Sequence, residues 1–515
     1  RAINQTVSAL LPAGFYYKTF MWPKKFWMFY EHQIRRAAGL GKAPLHKDPD
    51  HYAYEYAHCE VLVVGGGPAG LAGALAAARS GKRVVLADER SELGGSALWE
   101  NKLIDNMRAS EWVDQTISTL REYPNVRVLA RSTVTGVYDH GLVIVAERVT
   151  DHLPQSPAHT PRQRLLHLRC ARVILASGSI ERPLVFADND KPGVMLASAL
   201  RTYINQYAVL PGRKIAIFTN NDDAYRSALD AKQAGAQTVT LIDTRRTVDA
   251  QLVNRLRSAG IEYVGYSYIT AVHGQTVQAI SVLGRDGTGA QKIDCDLLGN
   301  SGGWSPTVHL YSQAGGKLRF DDKLSAFVPD SLLPTLVPVG AANGEYTLAG
   351  ALAQGAAAGE QACVNDASSP QGALLYHAPH AEPETNFALE PLWQISKVAS
   401  TGKRFVDIQD DVTVEDIELA HRENFRSVEH LKRYTTLGMG TDQGKTSNVN
   451  GLALMAALKE QPIAAVGTTT FRPPYTPVAL GLFGGADTGK HHAPVRRTAL
   501  HGWHVAQGAP MTTVG

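Results

Sequence analysis

The run Gly65-Gly66-Gly67-Pro68-Ala69-Gly70 is the densest group of residues in this chain whose spacing implies chemistry. It follows the apolar stretch Glu60 to Val64 and opens the small-residue stretch Ala69 to Ser80. That order, strand then turn then helix, turns a weak glycine pattern into a meaningful one. Gly65 permits a tight turn, Gly67 lets backbone approach a pyrophosphate, and Gly70 lets helix and strand pack closely. The helix start, with Pro68 and Ala69, offers free N–H groups and the positive end of a dipole to phosphates. Asp88, with Glu89 and Arg90 after it, ends the next strand, Arg83 to Ala87, about 20 residues on, where ribose hydroxyls of an adenosine belong. Carboxylates there repel a 2′-phosphate, which favours NAD or FAD over NADP.

Further along, Leu93-Gly94-Gly95-Ser96 adds a second turn suited to the pyrophosphate side. Late in the chain, Val339-Gly340-Ala341-Ala342-Asn343-Gly344 precedes Thr347 and a helix from Leu348 to Gly359. Flavoenzymes of the glutathione-reductase type carry a Gly-Asp pair at this point, and the Asp is missing, so NAD is preferred for the first site. A second strand–helix–strand unit covers Lys214 to Thr219, Ala224 to Ala234 and Thr238 to Asp243. Its turn, Thr219-Asn220-Asn221-Asp222-Asp223, has no glycine, and its acids repel phosphate. An empty second site is expected, and hydride transfer from NADPH to flavin needs both sites.

These motifs require two nested α/β folds. At 515 residues the chain is long enough for several cores. Hydrophobic residues at 44% and charged residues at 19% fit a globular α/β protein, and a net charge of +3 without basic runs gives no footprint for nucleic acid. Cys59, Cys170, Cys295 and Cys363 stand singly, fitting neither a disulfide framework nor a metal site, so a reducing cytoplasm is expected. No apolar run is long enough to span a bilayer and no signal peptide is seen, so no membrane role is expected. His377, His380, His491 and His492 read as solvated, with no metal site. Arg1 in place of Met, and a new segment beginning near residue 479, suggest a piece of a longer polypeptide.

The expected organisation starts with an aromatic arm over 1–57, packing on a neighbouring domain or protein chain or, alternatively, lying on a membrane surface. A Rossmann-like NAD-binding domain follows over 58–195 and 311–365, with a β-meander between Val126 and Arg172 leading into Val173-Ile-Leu-Ala-Ser-Gly-Ser179. It is interrupted by a degenerate nucleotide domain over 196–310. A linker over 366–400, a small module over 401–478 and a further domain starting at 479 complete the chain. The fold class is α/β, of the glutathione-reductase or pyridine nucleotide-disulfide oxidoreductase type, followed by a small α-rich module.

The small module carries the resemblance that says most about function. Asp407-Ile-Gln-Asp-Asp-Val-Thr413 and Leu431-Lys-Arg-Tyr-Thr-Thr-Leu-Gly-Met-Gly-Thr-Asp-Gln-Gly-Lys445 resemble the [2Fe–2S] module of amine- and proline-oxidising flavoprotein subunits. Alignment puts Asp407, Gln409, Asp442 and Ser447 near the four ligand places; with no cysteine in 401–478, no cluster is expected. Together with Pro12-Ala-Gly-Phe-Tyr-Tyr-Lys-Thr-Phe-Met-Trp-Pro23, Phe425-Arg-Ser-Val-Glu-His430, Thr441-Asp-Gln-Gly-Lys-Thr-Ser-Asn448 and Gly467-Thr-Thr-Thr-Phe-Arg-Pro-Pro-Tyr-Thr-Pro477, the chain resembles the α subunits of heterotetrameric sarcosine oxidases.

The resemblance implies part of an oxidoreductase that acts on the CH–NH group of donors with oxygen as acceptor. Sarcosine, oxygen and tetrahydrofolate would give glycine, hydrogen peroxide and 5,10-methylenetetrahydrofolate, in an assembly with β, γ and δ subunits. It implies oxidation at FAD in β, FMN between α and β, and NAD in this chain. Tetrahydrofolate would bind a C-terminal aminomethyltransferase-like domain, whose start is read around Arg496 to His504, and no catalytic residue is expected here. Carried over to this sequence, the NAD contacts are Ala69, Asp88, Glu89, Arg90 and Ser96, with Val134 or Thr135 and the stretch from Gly340 through Thr347 to Leu348. Gly65, Gly67, Pro68, Gly70 and Gly95 come from the turns themselves. Lys445, Thr446, Ser447 and Asn448 are expected as donors to a flavin phosphate, with Arg472 as another. The competing readings are the corresponding chain of an opine or proline oxidase, or a non-catalytic NAD-binding scaffold.

Overall fold

The computed structural model describes residues 13–14, 22–37, 48–364, 376–384, 387–396, 402–484 and 496–511. Val61, Leu62 and Val63 have no exposed surface, as expected for a strand covered on both faces. Their strand, Tyr52–Val64, runs parallel to Gln163–Leu175 along its whole length and to Val84–Ala87 on its other side. Val126–Leu129 extends the sheet beyond Val84–Ala87. The end of Gln163–Leu175 takes Leu336–Pro338 in parallel, while its beginning takes the antiparallel strand Leu142–Arg148, itself paired with Ser132–Tyr138. Five parallel strands therefore end level at Leu129, Ala87, Val64, Leu175 and Pro338, and the crevice beyond such ends is where ligands bind.

The first strand starts at Tyr52 instead of Glu60. Its front half exposes Tyr54 and Tyr56, and it is held by a partner strand more than a hundred residues away, which no local pattern shows. The helix Pro68–Ala78 packs against Leu348–Val364 through glycines. A Cβ on Gly355 would lie 2.0 Å from the Ala69 carbonyl, and one on Gly359 2.3 Å from that of Gly73. This close approach carries the late stretch from Gly340 to Leu348 back beside the glycine turn.

The second module is a five-stranded parallel sheet in the order Val194–Leu196, Leu297–Ser301, Lys214–Thr219, Thr238–Asp243, Glu262–Val264, with an antiparallel three-stranded sheet beside it. It is inserted into the first, and the two connections pair with each other as Ser179–Glu181 and Trp304–Pro306. The third module has a short hairpin, Phe405–Asp407 with Val412–Thr413, and the helices Val414–Arg422, Val428–Thr435 and Asn448–Leu458. Thr413 and Asp416 form a capping box at the first of these. Val185, from the connection, is buried among Val406, Ile417, Leu431 and Met455, so this module packs on the other two. Asn189 brackets Phe405, accepting from its N–H at 3.0 Å and donating to its carbonyl at 2.8 Å.

In the arm, Trp27–Ala37 is a helix after Pro23, with Trp22, Met28 and Phe29 exposed. The aromatic run Phe15 to Phe20, part of the linker, and His491 and His492 lie outside the described residues. Among the described residues no helix is long and apolar enough to cross a membrane, and no group of three or more His, Cys, Asp or Glu side chains is placed to hold a metal ion.

Candidate dinucleotide-binding cleft

The glycine turn has the geometry its spacing requires. Gly65 has φ +100°, and a Cβ on it would lie 2.3 Å from the Ala176 carbonyl. A Cβ on Gly70 would lie 1.8 Å from the Gly65 carbonyl, so Gly70 is buried behind the turn as a packing residue. Gly67 differs: the nearest atom to a Cβ there is the Gly95 Cα at 3.9 Å. Its bare Cα leaves open space at the start of Pro68–Ala78, and no side chain caps that helix end. Free N–H groups facing an open space fit an anionic ligand.

This turn forms one wall of a cleft of about 320 Å³. Gly65, Gly67, Pro68, Ala69, Asp88, Glu89, Arg90, Gly95, Ser96, Val134, Thr347, Leu348 and Lys445 all line it. Thr135 does not; it is buried and its hydroxyl donates to the Ile144 carbonyl at 3.2 Å. Gly340 lies behind the wall, where a Cβ would come 3.0 Å from that of Ala69. Ala341 stands in the lining where a flavin-binding acid would be. Glu345 is near, but its oxygen accepts from the N–H and hydroxyl of Thr347 at 2.8 and 2.5 Å.

Asp88 lines the cleft and has a second task beside the one its position suggests. Its two oxygens accept from the backbone N–H groups of Gly66 at 2.6 Å and Arg90 at 2.7 Å. It braces the turn, and Glu89 beside it is exposed in the lining of the cleft. Sequence reasoning missed the opposite wall, where Trp99, Trp304, Tyr346 and Phe387 line the cleft with Glu100, Lys102, Asp223, Arg226 and Glu384. Lys102 pairs with Glu100 and Glu384 at 2.7 and 2.8 Å. Burial opposes ionisation of Glu100, yet Lys102, Arg201 and Arg226 together hold its carboxyl below the ordinary range. The Ser177 to Ser179 turn was the one signal in the sequence for this side.

The corresponding place in the second module is covered by the chain itself. Leu389 bridges Asn221; the Asp222 N–H donates to the Ala388 carbonyl at 3.1 Å, and Ala388 N–H returns to the Asp222 carboxylate at 2.9 Å. Asn220 donates to the Glu390 carbonyl at 2.9 Å. Arg245, 4% exposed, joins Asp222 at 2.6 Å, Asp243 at 2.7 Å and the Ala388 carbonyl at 3.1 Å. Among the described residues, the Asp222 N–H and the Asn220 amide, which face a ligand in an open turn, are thus taken by the chain's own carbonyls.

In the third module the four aligned positions meet in two pairs, Asp407 with Ser447 and Gln409 with Asp442. Asp407 accepts from Ser447 Oγ at 3.0 Å and from the Gly438 N–H at 2.8 Å, and Gln409 accepts from the Asp442 N–H at 3.1 Å. Thr446 donates to Asp442 and Asn448 to the Gln443 carbonyl, so both side chains are engaged inside the module. Only Lys445 of this turn reaches the cleft.

The family model for pyridine nucleotide-disulphide oxidoreductases matches residues 59–339, and that for the sarcosine oxidase A3 domain matches residues 401–487. The alpha subunit of sarcosine oxidase from Rhizobium meliloti (strain 1021) is 43% identical over 522 residues, covering 100% of this chain and 51% of that protein. Its namesake from Corynebacterium sp. (strain P-1) is 40% identical over 493 residues, covering 93% of this chain and 50% of its own. The chain thus spans about half the length of these relatives. An opine oxidase subunit of Rhizobium meliloti (strain 1021) is 24% identical over 82% of this chain and 97% of its own. The crystal structure of L-proline dehydrogenase from P. horikoshii shares the fold, with a TM-score of 0.60 at 22% identity over 86% of this chain and 82% of that one. A dinucleotide-type cleft and a matching reductase model agree: the chain belongs to the pyridine nucleotide-disulphide oxidoreductase family, and it carries the A3 domain of sarcosine oxidases.

Proposed function

We propose that this chain is the NAD-holding α subunit of an assembly, with β, γ and δ subunits, that oxidatively demethylates sarcosine. In that assembly sarcosine, oxygen and tetrahydrofolate give glycine, hydrogen peroxide and 5,10-methylenetetrahydrofolate. The amine is oxidised at FAD in β, FMN lies between α and β, and tetrahydrofolate binds the C-terminal domain. The observation that carries NAD, and not FAD, in this cleft is Ala341 in its lining. Glu89 at the adenosine end disfavours a 2′-phosphate. Gly67, Ala69, Ser96 and the N-terminus of Pro68–Ala78 receive the pyrophosphate, Val134 the adenosine end, and Thr347 and Leu348 the far end. Arg472, exposed, is the candidate donor toward FMN.

Extracting the cofactors from the purified assembly and identifying them by mass tests this, with sarcosine, proline and dimethylglycine compared as substrates. NAD from the α chain and preference for sarcosine are expected; FAD released from isolated α overturns the assignment. A scaffold reading, in which NAD is purely structural, is favoured by the covered second nucleotide site. A change in nicotinamide absorbance on adding substrate to the assembly rules that reading out.

A further inference from the structure

One wall of the cleft comes from the third module, which is no part of the nucleotide fold. Lys445 Nζ donates to Thr476 Oγ1 at 3.2 Å and sits 5.4 Å from the centre of the Tyr475 ring. Tyr475 is pinned by its hydroxyl, which donates to the Gln443 carbonyl at 3.0 Å, and His309 of the first module stacks on its ring at 4.6 Å. The cleft's other inner cations, Lys102 and Arg226, are matched by Glu100, Asp223 and Glu384. Lys445 has no carboxylate partner among the described residues. An ammonium fixed by a ring and a hydroxyl, and left uncompensated in a cleft, favours an anionic ligand group.

His309 supplies the independent observation. It is 8% exposed, lines the same cleft, and its Nδ1 is buried without a hydrogen-bond partner among the described residues. Buried polar atoms are normally satisfied, so this orphan in a residue of the cleft wall leaves hydrogen-bonding capacity that a ligand group takes up once the ring turns toward it. Burial, then the nearby Lys445 charge, push its pKa down to about 3, so it is neutral and can donate or accept without adding charge.

We propose that Lys445 and His309 form a phosphate-recognition subsite through which the third module engages the pyrophosphate of the bound dinucleotide. This rests on the reading of the cleft as a dinucleotide site. The pyrophosphate is preferred to the phosphate of a second nucleotide because Leu310, next to His309, is buried with Val64 and Val134, which flank the glycine turn and the adenosine end.

The test uses the full-length chain assembled with its partner subunits, as wild type, Lys445→Met, Lys445→Arg and His309→Gln. NAD and FMN contents are measured separately by extraction and mass, and the affinity for added NAD by equilibrium dialysis across a salt series. Lys445→Met is expected to weaken NAD binding about tenfold or more and flatten its salt dependence, with Lys445→Arg close to wild type and FMN unchanged. Acylation of Lys445 in the unmutated protein, read by peptide mass, should be slowed by NAD, which keeps the question answerable if a variant fails to assemble. Unchanged NAD binding in Lys445→Met, or acylation indifferent to NAD, overturns the subsite. Loss of FMN with full NAD overturns the pyrophosphate assignment. A wild-type assembly without NAD refutes the dinucleotide reading itself, a different result from either.

Discussion

The carboxylate of Asp88 accepts the backbone N–H of Gly66 at 2.6 Å, which ties the end of the second strand to the turn after the first. The acid that marks the adenosine end in the sequence thus also shapes the phosphate turn. Its removal acts on both the loop and the ligand. Asp88→Ala should lower NAD retention more than Glu89→Gln and also lower stability, by about 1–3 kcal/mol for the buried Gly66 N–H left unpaired. Cofactor content and melting temperature of the two variants, measured side by side, check this; equal stability would remove the bracing role.

The glycines of the turn separate folding from binding. Gly67→Ala should fold normally, within about 0.5 kcal/mol, because a Cβ there has open space. It should lose most of its NAD, since the methyl fills that space. Gly70→Ala should fold poorly, because its Cβ would lie 1.8 Å from the Gly65 carbonyl. Soluble yield, circular dichroism and extracted NAD distinguish the two.

Arg245 is the centre of the covered second site. Arg245→Met strands Asp243, which is fully buried, and frees Asp222. A cost of about 3–5 kcal/mol is expected for an uncompensated buried charge. Adding Asp243→Asn should recover part of it. Denaturant unfolding of the single and double variants is the measurement, and a double variant no better than the single would contradict the pairing.

His309 gives a pH dependence of definite sign. Its folded pKa is pushed down to about 3, from an ordinary value of 6.5, by burial and by Lys445. Between those values the unfolded chain binds the proton that the folded chain refuses. This contribution to stability is therefore full above pH 6.5 and is lost as pH falls toward about 3, with a limiting slope of about 1.4 kcal/mol per pH unit. His309→Gln should flatten the stability profile across that window relative to wild type, in chemical denaturation at matched ionic strength. Parallel profiles for the two proteins would contradict the assignment.

The strand–turn–helix at Gly65 to Gly70 was legible because it is local: covalent spacing alone dictates where a positive φ and a bare Cα fall. The same holds for the absence of glycine at Thr219 to Asp223 and of cysteine in residues 401–478. The second module's strands Lys214–Thr219 and Thr238–Asp243 match their apolar runs residue for residue, since both are buried in one parallel sheet. Tertiary structure alone decided the rest. Residues 388–390 cover the second nucleotide site, Trp304 and His309 wall the first, and Lys445 enters that cleft from a different module. Each depends on backbone pairing or side-chain stacking between segments far apart in the chain, and no local periodicity encodes such contacts.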